Sequence, residues 1–293
     1  MKPTLLLTGA TGFLGSHLLR AIHLKYHCIV LKRTASSLER IQDLLPAMMA
    51  YDIDHIALDS IFKQHAIHAI IHCATHYGRK QTDRIQILKS NLLFPLELLE
   101  LAERYHVKFF LNTDTILDKR ISDYTLSKRQ FHEWLQVLSK KMVCVNVALE
   151  HFYGPFDDAT KFVSHIILAL LKKETRLELT QGEQKRDFIF IADVISAFEK
   201  IIAASLLKEP GLFHYELGSG KTVRIRDLVE KVQMLIGNKV TELAFGKIPY
   251  RAEEVMESTV NLTAIQTLNW TAETSLEQGL KTTIAYEKRR MGQ

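Results

Sequence analysis

A glycine-rich turn between the first apolar run and the first amphipathic segment constrains this sequence more than any other feature. Residues 4–7 predict a short buried strand, and residues 13–24 have the spacing of an amphipathic helix. Small residues between them let backbone N–H groups approach a pyrophosphate at the positive end of the helix. This context favours a dinucleotide site over an ordinary tight turn. The predicted cofactor contacts of the turn are Gly9, Thr11, Gly12, Phe13, Leu14 and Gly15.

The first half of the chain alternates short apolar runs with longer helical patterns. Nearly continuous apolar strands separated by helices predict an α/β fold, a doubly wound parallel sheet of the Rossmann type. Its predicted strands span residues 4–7, 27–31, 55–58, 69–73, 108–111 and 143–149, and its helices 13–24, 84–105 and 124–140. The rhythm then changes to a smaller α/β lobe, with predicted helices at 162–172, 225–236 and 275–287 and strands at 176–179 and 241–245.

The bulk composition excludes several classes of function. A net charge of +5 is scattered over 293 residues rather than gathered into a basic stripe, which disfavours nucleic-acid binding. The three cysteines stand apart in apolar runs, so we predict no disulfide framework, and no metal site is predicted either. The chain has no apolar stretch long enough for a membrane span and no secretory signal. A cytoplasmic protein is expected.

The end of the second predicted strand bears on the choice of cofactor. Folds that bind NAD usually place an acid there, bonded to the ribose 2′-hydroxyl. This chain has Lys32 and Arg33 instead, and such cations would pair with a 2′-phosphate. A solvated basic pair at a strand end is the alternative interpretation. We predict NADP(H) in preference to NAD(H).

A phenol and an amine stand four residues apart at the start of the predicted helix 124–140. This spacing puts Tyr124 and Lys128 on one helix face, where the ammonium lowers the tyrosine pKa from about 10. Such a tyrosine can exchange a proton with a carbonyl or alkoxide near neutral pH. Thr113 ends the preceding strand at the ligand-binding edge of the sheet, and its hydroxyl could bond the same substrate oxygen. Asp114 follows it, either as a second catalytic acid or as a loop cap.

With these residues the sequence resembles the extended short-chain dehydrogenase/reductases that act on nucleotide sugars. Residues 8–15 match the family's T-G-x-x-G-x-x-G turn, and Thr113, Tyr124 and Lys128 match its catalytic Ser/Thr, Tyr and Lys. Tyr124 and Lys128 are therefore expected to contact the cofactor as well. The resemblance implies further cofactor contacts from Asp59 at the adenine, from Cys73, Ala74 and Thr75 along the backbone, and from Asn91 on the long fourth helix.

The second half of the chain resembles the family's substrate-binding segments. Residues 151–155 resemble N-V-Y-G-P, residues 184–189 resemble R-D-F-I/Y, and residues 249–251 resemble a later arginine site. Two arginines suit a diphosphate because planar guanidinium groups form bidentate, charge-assisted bonds to anionic oxygens. The substrate contacts expected on this basis are His76, Thr113, His151, Arg186 and Arg251.

The resemblance also predicts a division of the chain into two parts. Residues 1–153 with about 187–217 would form the dinucleotide-binding domain, and residues 154–186 with 218–293 would form the nucleotide-sugar-binding lobe. Members of the family commonly form homodimers through two long helices, here predicted at 84–105 and 124–140. We expect a homodimer on that ground.

Within the family, the chain resembles the CDP-abequose and CDP-paratose synthases, which reduce a CDP-4-keto-6-deoxyhexose. The shared stretches are residues 71–78, 110–115, 149–155 and 182–190. Related dehydratases carry a glutamate where this chain has Thr115, and a threonine cannot abstract the C5 proton. This departure favours reduction over dehydration.

These observations predict an NADPH-dependent 4-ketoreductase of a nucleotide-diphosphate 4-keto-6-deoxyhexose, with a CDP-linked substrate favoured. Its product would supply deoxysugar to a surface polysaccharide such as a lipopolysaccharide O-antigen. Two alternatives stay open. One is an epimerase or dehydratase that keeps NAD(P) tightly bound, and the other is a non-catalytic NADP-binding sensor.

Overall fold

The computed structural model describes residues 2–78, 83–251 and 254–293. The described residues form two compact units. The first holds the chain up to Leu149 together with Ile195–Glu216 and Thr263–Trp270. The second holds Glu150–Val194, Leu217–Leu262 and Thr271–Gln293.

The chain alternates strands and helices over most of its length. In chain order, the strands are β1 (Thr4–Thr8), β2 (His27–Lys32), β3 (Met49–Asp52), β4 (Ala69–His72), β5 (Phe109–Thr115), β6 (Val143–Leu149), β7 (His151–Tyr153), β8 (Arg176–Leu179), β9 (Lys185–Phe190), β10 (Gly211–Leu217), β11 (Thr222–Arg224) and β12 (Glu242–Phe245). The helices are α1 (Phe13–Ile22), α2 (Leu58–Gln64), α3 (Arg84–Leu88), α4 (Phe94–Arg104), α5 (Asp123–Leu138), α6 (Phe162–Leu171), α7 (Ile191–Ser205), α8 (Ile225–Ile236), α9 (Thr263–Gln266) and α10 (Leu276–Arg290).

The first unit is built on a seven-stranded sheet with the order β10-β6-β5-β4-β1-β2-β3. Successive strands from β3 to β6 in this order run parallel to one another. The central strands are apolar on both faces: Leu5, Leu6 and Leu7 of β1 are fully buried, as expected for a sheet covered by helices. The order reverses direction at β1 and β4, so a ligand site is expected at the carboxyl ends of these strands. The predicted doubly wound sheet is confirmed.

One predicted strand is wrong. Residues 55–58 form a turn that leads into α2, and the third strand lies earlier, at Met49–Asp52. This strand is at the edge of the sheet and only partly buried, so it lacks the apolar run of a central strand. The prediction therefore chose the more apolar segment downstream.

The predicted helix 84–105 is interrupted by a π-helical turn. Helix α3 continues through this turn at Lys89–Leu93 into α4, so the segment is helical over its predicted length. Asn91 lies in the π-helical turn and is fully buried. Such turns are frequently found at functional sites because they change the direction of a few side chains.

The second unit has two small sheets, β11-β9-β7 and β12-β8. Helices α6, α8 and α10 contribute to its apolar core, with Ile167, Leu228 and Leu280 among the completely buried side chains. It is the smaller α/β lobe that the change of rhythm predicts.

The observed boundaries of the units differ from the predicted ones. The prediction places residues 187–194 in the first domain, whereas β9 pairs with β7 and β11 in the second unit. It also places residues 263–270 in the lobe, whereas the Trp270 indole donates to the Ser196 hydroxyl (2.9 Å) in the first unit.

The described residues contain no membrane-spanning helix, no metal-binding cluster and no disulfide bond. Within the described ranges, no helix is long and apolar enough to cross a bilayer, and no cluster of His, Cys, Asp or Glu is arranged to hold a metal ion. The thiols are free: Cys28 and Cys144 are buried in strands, and Cys73 follows β4 and is partly exposed.

Candidate active site

The glycine-rich turn lies against the segment that follows β4. Gly9 has a φ of +68°, and a Cβ atom there would come within 2.5 Å of the Ala74 nitrogen. A Cβ on Gly15 would come within 2.2 Å of the Gly9 carbonyl oxygen, so side chains are excluded at both positions. Gly12 caps α1 with an extended backbone and no side-chain hydrogen bond. This leaves the positive end of the helix to be capped by an external anion, which fits a pyrophosphate.

Asn91 holds the segment after β4 in place. Its Oδ1 accepts from the His76 N–H (2.7 Å) and the Thr75 hydroxyl (3.2 Å), and its Nδ2 donates to the His76 carbonyl (2.9 Å) and to Ser127 Oγ (3.0 Å). The buried carboxamide is thus fully hydrogen-bonded within the first unit. We propose that Asn91 supports the loop and α5, rather than contacting the cofactor itself as the resemblance implies. The same bonds place Thr75 and His76 beside the start of α5.

The start of α5 is fixed by a capping box between Ser122 and Thr125, which gives Tyr124 and Lys128 their places. Lys128 is only 2% exposed, and its Nζ has no hydrogen-bond partner among the described residues. Burial lowers the pKa of Lys128, and the nearby charges of Asp114 and Cys73 oppose that shift. An amine in this position is buried but lacks an acceptor.

Tyr124 is partly exposed and borders a cleft. Its ring lies 5.1 Å from the ring of Tyr77, centroid to centroid. The cleft has a volume of about 440 Å³, and Lys119, Arg120 and Asp123 also line it. The predicted proton donor is therefore accessible to a small molecule within the first unit.

Thr113 and Asp114 lie at the carboxyl end of β5, where the charge of Asp114 acts on Lys128. Thr113 is 6% exposed, and its hydroxyl donates to the His72 carbonyl (3.1 Å). The Asp114 carboxylate accepts from the Thr115 N–H (2.8 Å), as a loop cap would, and from Asn146 Nδ2 (2.8 Å). These contacts fit the loop-cap alternative.

The two cations predicted to select NADP(H) differ in their surroundings. Lys32 pairs with Asp52 (3.1 Å), the residue opposite it in the β2–β3 register. Arg33 is exposed, and its guanidinium has no hydrogen bond or ion pair among the described residues. Arg40 Nη1 donates to the Thr11 carbonyl of the glycine-rich turn (3.3 Å). Of the two predicted cations, Lys32 is thus already paired, and Arg33 has no ion pair among the described residues.

Asp59 does not end a strand, as its predicted adenine contact assumed. It lies in the first turn of α2, where it pairs with Lys63 (2.6 Å) and accepts from the Tyr105 hydroxyl (2.8 Å). These hydrogen bonds, that of Lys63 first, lower the pKa of Asp59. The prediction depended on a strand ending at residue 58, and the carboxylate that ends the third strand is Asp52.

Arg186 and Arg251 are the predicted diphosphate ligands, and both lie in the second unit. Arg186 is 8% exposed and forms an ion pair with Glu254 through Nη2, while Nη1 donates to the Lys185 carbonyl (2.8 Å). Burial lowers the pKa of Arg186, and Arg251 is near enough to lower it further, while Glu254 and Glu150 oppose the shift. The two arginines are therefore near enough to act on each other, and Glu254 is already paired with Arg186.

His151 is paired with the residue before it. Its Nδ1 lies 3.0 Å from Glu150 Oε2, and the other oxygen of this buried carboxylate has no partner among the described residues. The neighbouring Asp187 accepts from the N–H groups of Ser219 and Gly220 (2.7 Å each) and thereby fixes the loop after β10.

The NAD dependent epimerase/dehydratase family model matches residues 5–218 of the chain. The chain belongs to this family. It is 34% identical over 294 residues to CDP-abequose synthase of Salmonella muenchen, with 97% of this chain and 98% of that protein covered. It is 31% identical over 297 residues to CDP-abequose synthase of Salmonella typhimurium, with 96% and 97% covered.

The fold also matches the structure of UDP-glucuronic acid 4-epimerase from Bacillus cereus in complex with UDP-glucuronic acid and NAD. The TM-score is 0.86 at 21% identity, with 98% of this chain and 99% of that chain covered. The resemblance to extended short-chain dehydrogenase/reductases is thus confirmed. For a member of this epimerase/dehydratase family a nicotinamide dinucleotide is the expected cofactor, and the glycine-rich turn and the unpartnered Lys128 amine fit one.

Sequence reasoning missed several residues of this family member's candidate site. Arg40 and Glu254 act through contacts with residues far away in the chain, and no local spacing points to such contacts. The only sequence signal for Glu150 is its position directly before His151. This signal is weak, because neighbouring side chains on an extended strand point to opposite faces and do not usually pair.

Proposed function

We propose that this chain uses NADPH to reduce the 4-keto group of a 4-keto-6-deoxyhexose linked to a nucleotide diphosphate. The observation that carries the proposal is the Lys128 amine, which is buried one helical turn after Tyr124 and has no acceptor in the part of the chain that the structure describes. Buried polar groups in folded proteins almost always have partners, so an orphaned amine at the carboxyl end of a parallel sheet calls for a ligand. A ribose hydroxyl of a dinucleotide is such a partner.

The residues of the first unit would perform the proton chemistry. Bound NADPH would supply the hydride. Tyr124 donates its phenolic proton to the substrate oxygen, and the Lys128 ammonium stabilises the phenolate that remains. Thr113 donates to the same oxygen once its hydroxyl turns away from the His72 carbonyl. Because a ketone oxygen gains negative charge during reduction, two donors aimed at it lower the barrier.

The substrate proposal depends on the second unit and on the relatives. Arg186 and Arg251 would hold the diphosphate, and binding energy from this remote group would align the sugar. The relatives named CDP-abequose synthase support a CDP-linked deoxysugar as the substrate class. Thr115 supports reduction over dehydration, since its hydroxyl cannot serve as the base that a dehydratase needs.

The proposed preference for NADPH is supported by the guanidinium of Arg33, which has no ion pair among the residues that the structure describes, and by Arg40 close to the glycine-rich turn. Lys32 supports it less, because Asp52 already neutralises that cation. A homodimer, a cytoplasmic location and a product destined for surface polysaccharide complete the proposal, and each stays a prediction.

The test is a screen of purified protein with NADPH and CDP-, dTDP-, GDP- or UDP-linked 4-keto-6-deoxyhexose. We expect one NADPH to be oxidised per sugar reduced, fastest with the CDP-linked compound. Tyr124→Phe should abolish turnover while leaving NADPH affinity unchanged. Full activity of that variant, or no NADPH oxidation with any of the four substrates, contradicts the proposal.

An epimerase with tightly bound NAD is the second candidate, favoured by Asp52, which places a carboxylate beside Lys32 at the ends of β3 and β2. Such an enzyme returns the hydride to its substrate. Turnover of a nucleotide sugar without net change in cofactor absorbance would favour this candidate, as would NAD retained through purification.

A further inference from the structure

A polar network lies behind the reacting groups of the first unit. On β5 and β6, Asn112 Nδ2 donates to Asn146 Oδ1 (2.8 Å), and Asn146 Nδ2 donates to Asp114 (2.8 Å). Asn146 Nδ2 also lies 3.2 Å from His214 Nδ1, on β10. Asn112 and Asn146 are fully buried and Asp114 nearly so, whereas His214 is accessible to solvent. The network thus leads from the centre of the sheet towards its surface.

A second histidine lies over this network. His132 comes one helical turn after Lys128 on α5, and its ring stacks on that of His214 with centroids 5.5 Å apart and planes 7° from parallel. His132 Nδ1 lies 3.9 Å from Asp114 Oδ2, within reach through a small shift or a single water molecule. The side chain of His132 is 15% exposed and that of Asp114 is 9% exposed. The charge of Asp114 also acts on the buried Lys128 amine, so this carboxylate is coupled both to the imidazole and to the amine.

Ketone reduction needs such a connection because every turnover consumes one proton. We propose that His132 and Asp114 carry this proton from solvent to the Lys128–Tyr124 pair, and that Asn146 and His214 hold the two carriers in place. This inference rests on the proposed function. It adds to that function a route by which the Tyr124 phenol is protonated again after each turnover.

The protons balance along the route. Tyr124 loses one proton to the substrate oxygen, and the phenolate takes one from the Lys128 ammonium. His132, neutral at rest, takes a proton from solvent and passes it to the Asp114 carboxylate. The resulting carboxyl group passes it to the neutral Lys128 amine through a bridging water molecule, because Lys128 Nζ has no direct hydrogen-bond partner among the described residues. One proton enters for each alcohol formed, and every carrier returns to its starting state.

The electrostatic surroundings suit a carrier that is neutral at rest. Burial lowers the pKa of His132, Asp114 opposes that shift, and His214 and Arg129 reinforce it, while Glu133 opposes it. Asp114 and Cys73 act on the pKa of Lys128, and the charge of Lys128 in turn lowers the pKa of the buried His72. His214 faces Glu216, with 3.7 Å between Nε2 and Oε1. An imidazole that is neutral near pH 7 can accept and release a proton within one turnover.

The test compares His132→Ala, Asp114→Asn and His214→Asn with wild type in steady-state reduction of the keto-sugar. For the first two variants we expect kcat to fall about tenfold with KM unchanged, and the fall to grow with rising pH as solvent supplies fewer protons. His214→Asn should lose about twofold, because it only supports His132. The wild-type solvent isotope effect on kcat should change in the first two variants.

Chemical rescue separates proton transfer from a structural role. Imidazole added to His132→Ala should restore at least half of the lost rate, because it can enter the space left beside the partly exposed His214. His27→Ala, at the exposed start of β2, serves as the control and should neither lose activity nor respond to imidazole.

Two results would overturn the inference. One is activity of His132→Ala and Asp114→Asn within twofold of wild type. The other is a loss that imidazole does not restore and that leaves the pH profile unchanged, with NADPH affinity used to verify folding. Wild-type protein that does not oxidise NADPH with any keto-sugar would instead refute the proposed function.

Discussion

The two units each bury a cation that the sequence singles out, and the two cations differ in what surrounds them. Lys128 in the first unit has no hydrogen-bond acceptor among the described residues, whereas Arg186 in the second unit is paired with Glu254 and with the Lys185 carbonyl. Burial lowers the pKa of both groups. The two cations therefore differ in how they can bind a ligand. The Lys128 amine can bind one directly, whereas the Arg186 guanidinium must first release the Glu254 carboxylate.

This contrast also separates stability from function. A buried charge without a partner destabilises the fold, so Lys128 is present at a cost to stability that only a ligand offsets. A buried ion pair is less costly, and removing one partner exposes the penalty of the other. Substitutions at the two positions should therefore move stability in opposite directions.

The largest effect is expected for Lys128→Met. We expect keto-sugar reduction to fall about a thousandfold, because the phenolate of Tyr124 loses its stabilising charge. Stability should rise by about 1–2 kcal/mol, because methionine fills the space without burying an unpaired amine. Arg186→Met is the matched control, and it should lose about 2 kcal/mol by leaving Glu254 unpaired. Denaturant titration of both variants checks the signs, and a less stable Lys128→Met variant would break the comparison.

A smaller effect is expected where Arg186 meets Glu254. If Glu254 competes with a diphosphate for the guanidinium, Glu254→Gln should lower KM for the nucleotide sugar about threefold and leave kcat unchanged. Glu257→Gln is the control, since Glu257 is an exposed neighbour paired with Lys185. Kinetics and equilibrium binding of the free nucleoside diphosphate measure the effect. A higher KM in Glu254→Gln would mean that Glu254 orients Arg186 rather than blocks it.

The pH dependence of stability offers a further test of the unpaired amine. His72 is fully buried beneath Lys128 among the rings of Phe94, Phe110 and Phe131. Burial lowers its pKa well below the usual value, and the charge of Lys128 adds to the shift. Below about pH 6.5, His72 is therefore protonated in the unfolded chain but stays neutral in the folded chain. The contribution of His72 to the free energy of unfolding is fully present above that pH and falls with acidification below it.

The expected slope from His72 is about 1.4 kcal/mol per pH unit below pH 6. Lys128→Met should bring the pKa of His72 nearer its ordinary value, so the loss of stability on acidification should end at a higher pH. Denaturant midpoints between pH 7 and pH 5 measure it for wild type, Lys128→Met and His72→Phe. An equal slope in all three proteins would show that His72 does not titrate in this range.

The sequence predicts the centre of the first unit well because central strands carry an unbroken apolar signal. Strand β6 and helix α8 have their predicted bounds, and the glycine-rich turn lies where the pattern requires. The edge strand β3 gives no such signal, since none of its four residues is buried and it has no long apolar run. The partners of buried polar groups are harder still: Glu254 lies 68 positions from Arg186, and such a pairing leaves no local trace.

The smallest effect concerns Asp52 and Asp59. The sequence prediction placed the end of the third strand next to Asp59, whereas the strand ends at Asp52. Near one of them the contrast between paired and unpaired cations recurs: Asp52 pairs with Lys32, whereas Arg33 has no ion pair within the described ranges. Asp59→Asn should leave KM for NADPH unchanged within about twofold, because that carboxylate serves Lys63 and Tyr105 on a helix. Asp52→Asn should lower KM for NADPH about two- to threefold by releasing Lys32 towards the 2′-phosphate, with no such gain for NADH. Equal gains for both cofactors would mean that Asp52 opposes the dinucleotide as a whole and that Lys32 has no part in choosing between them.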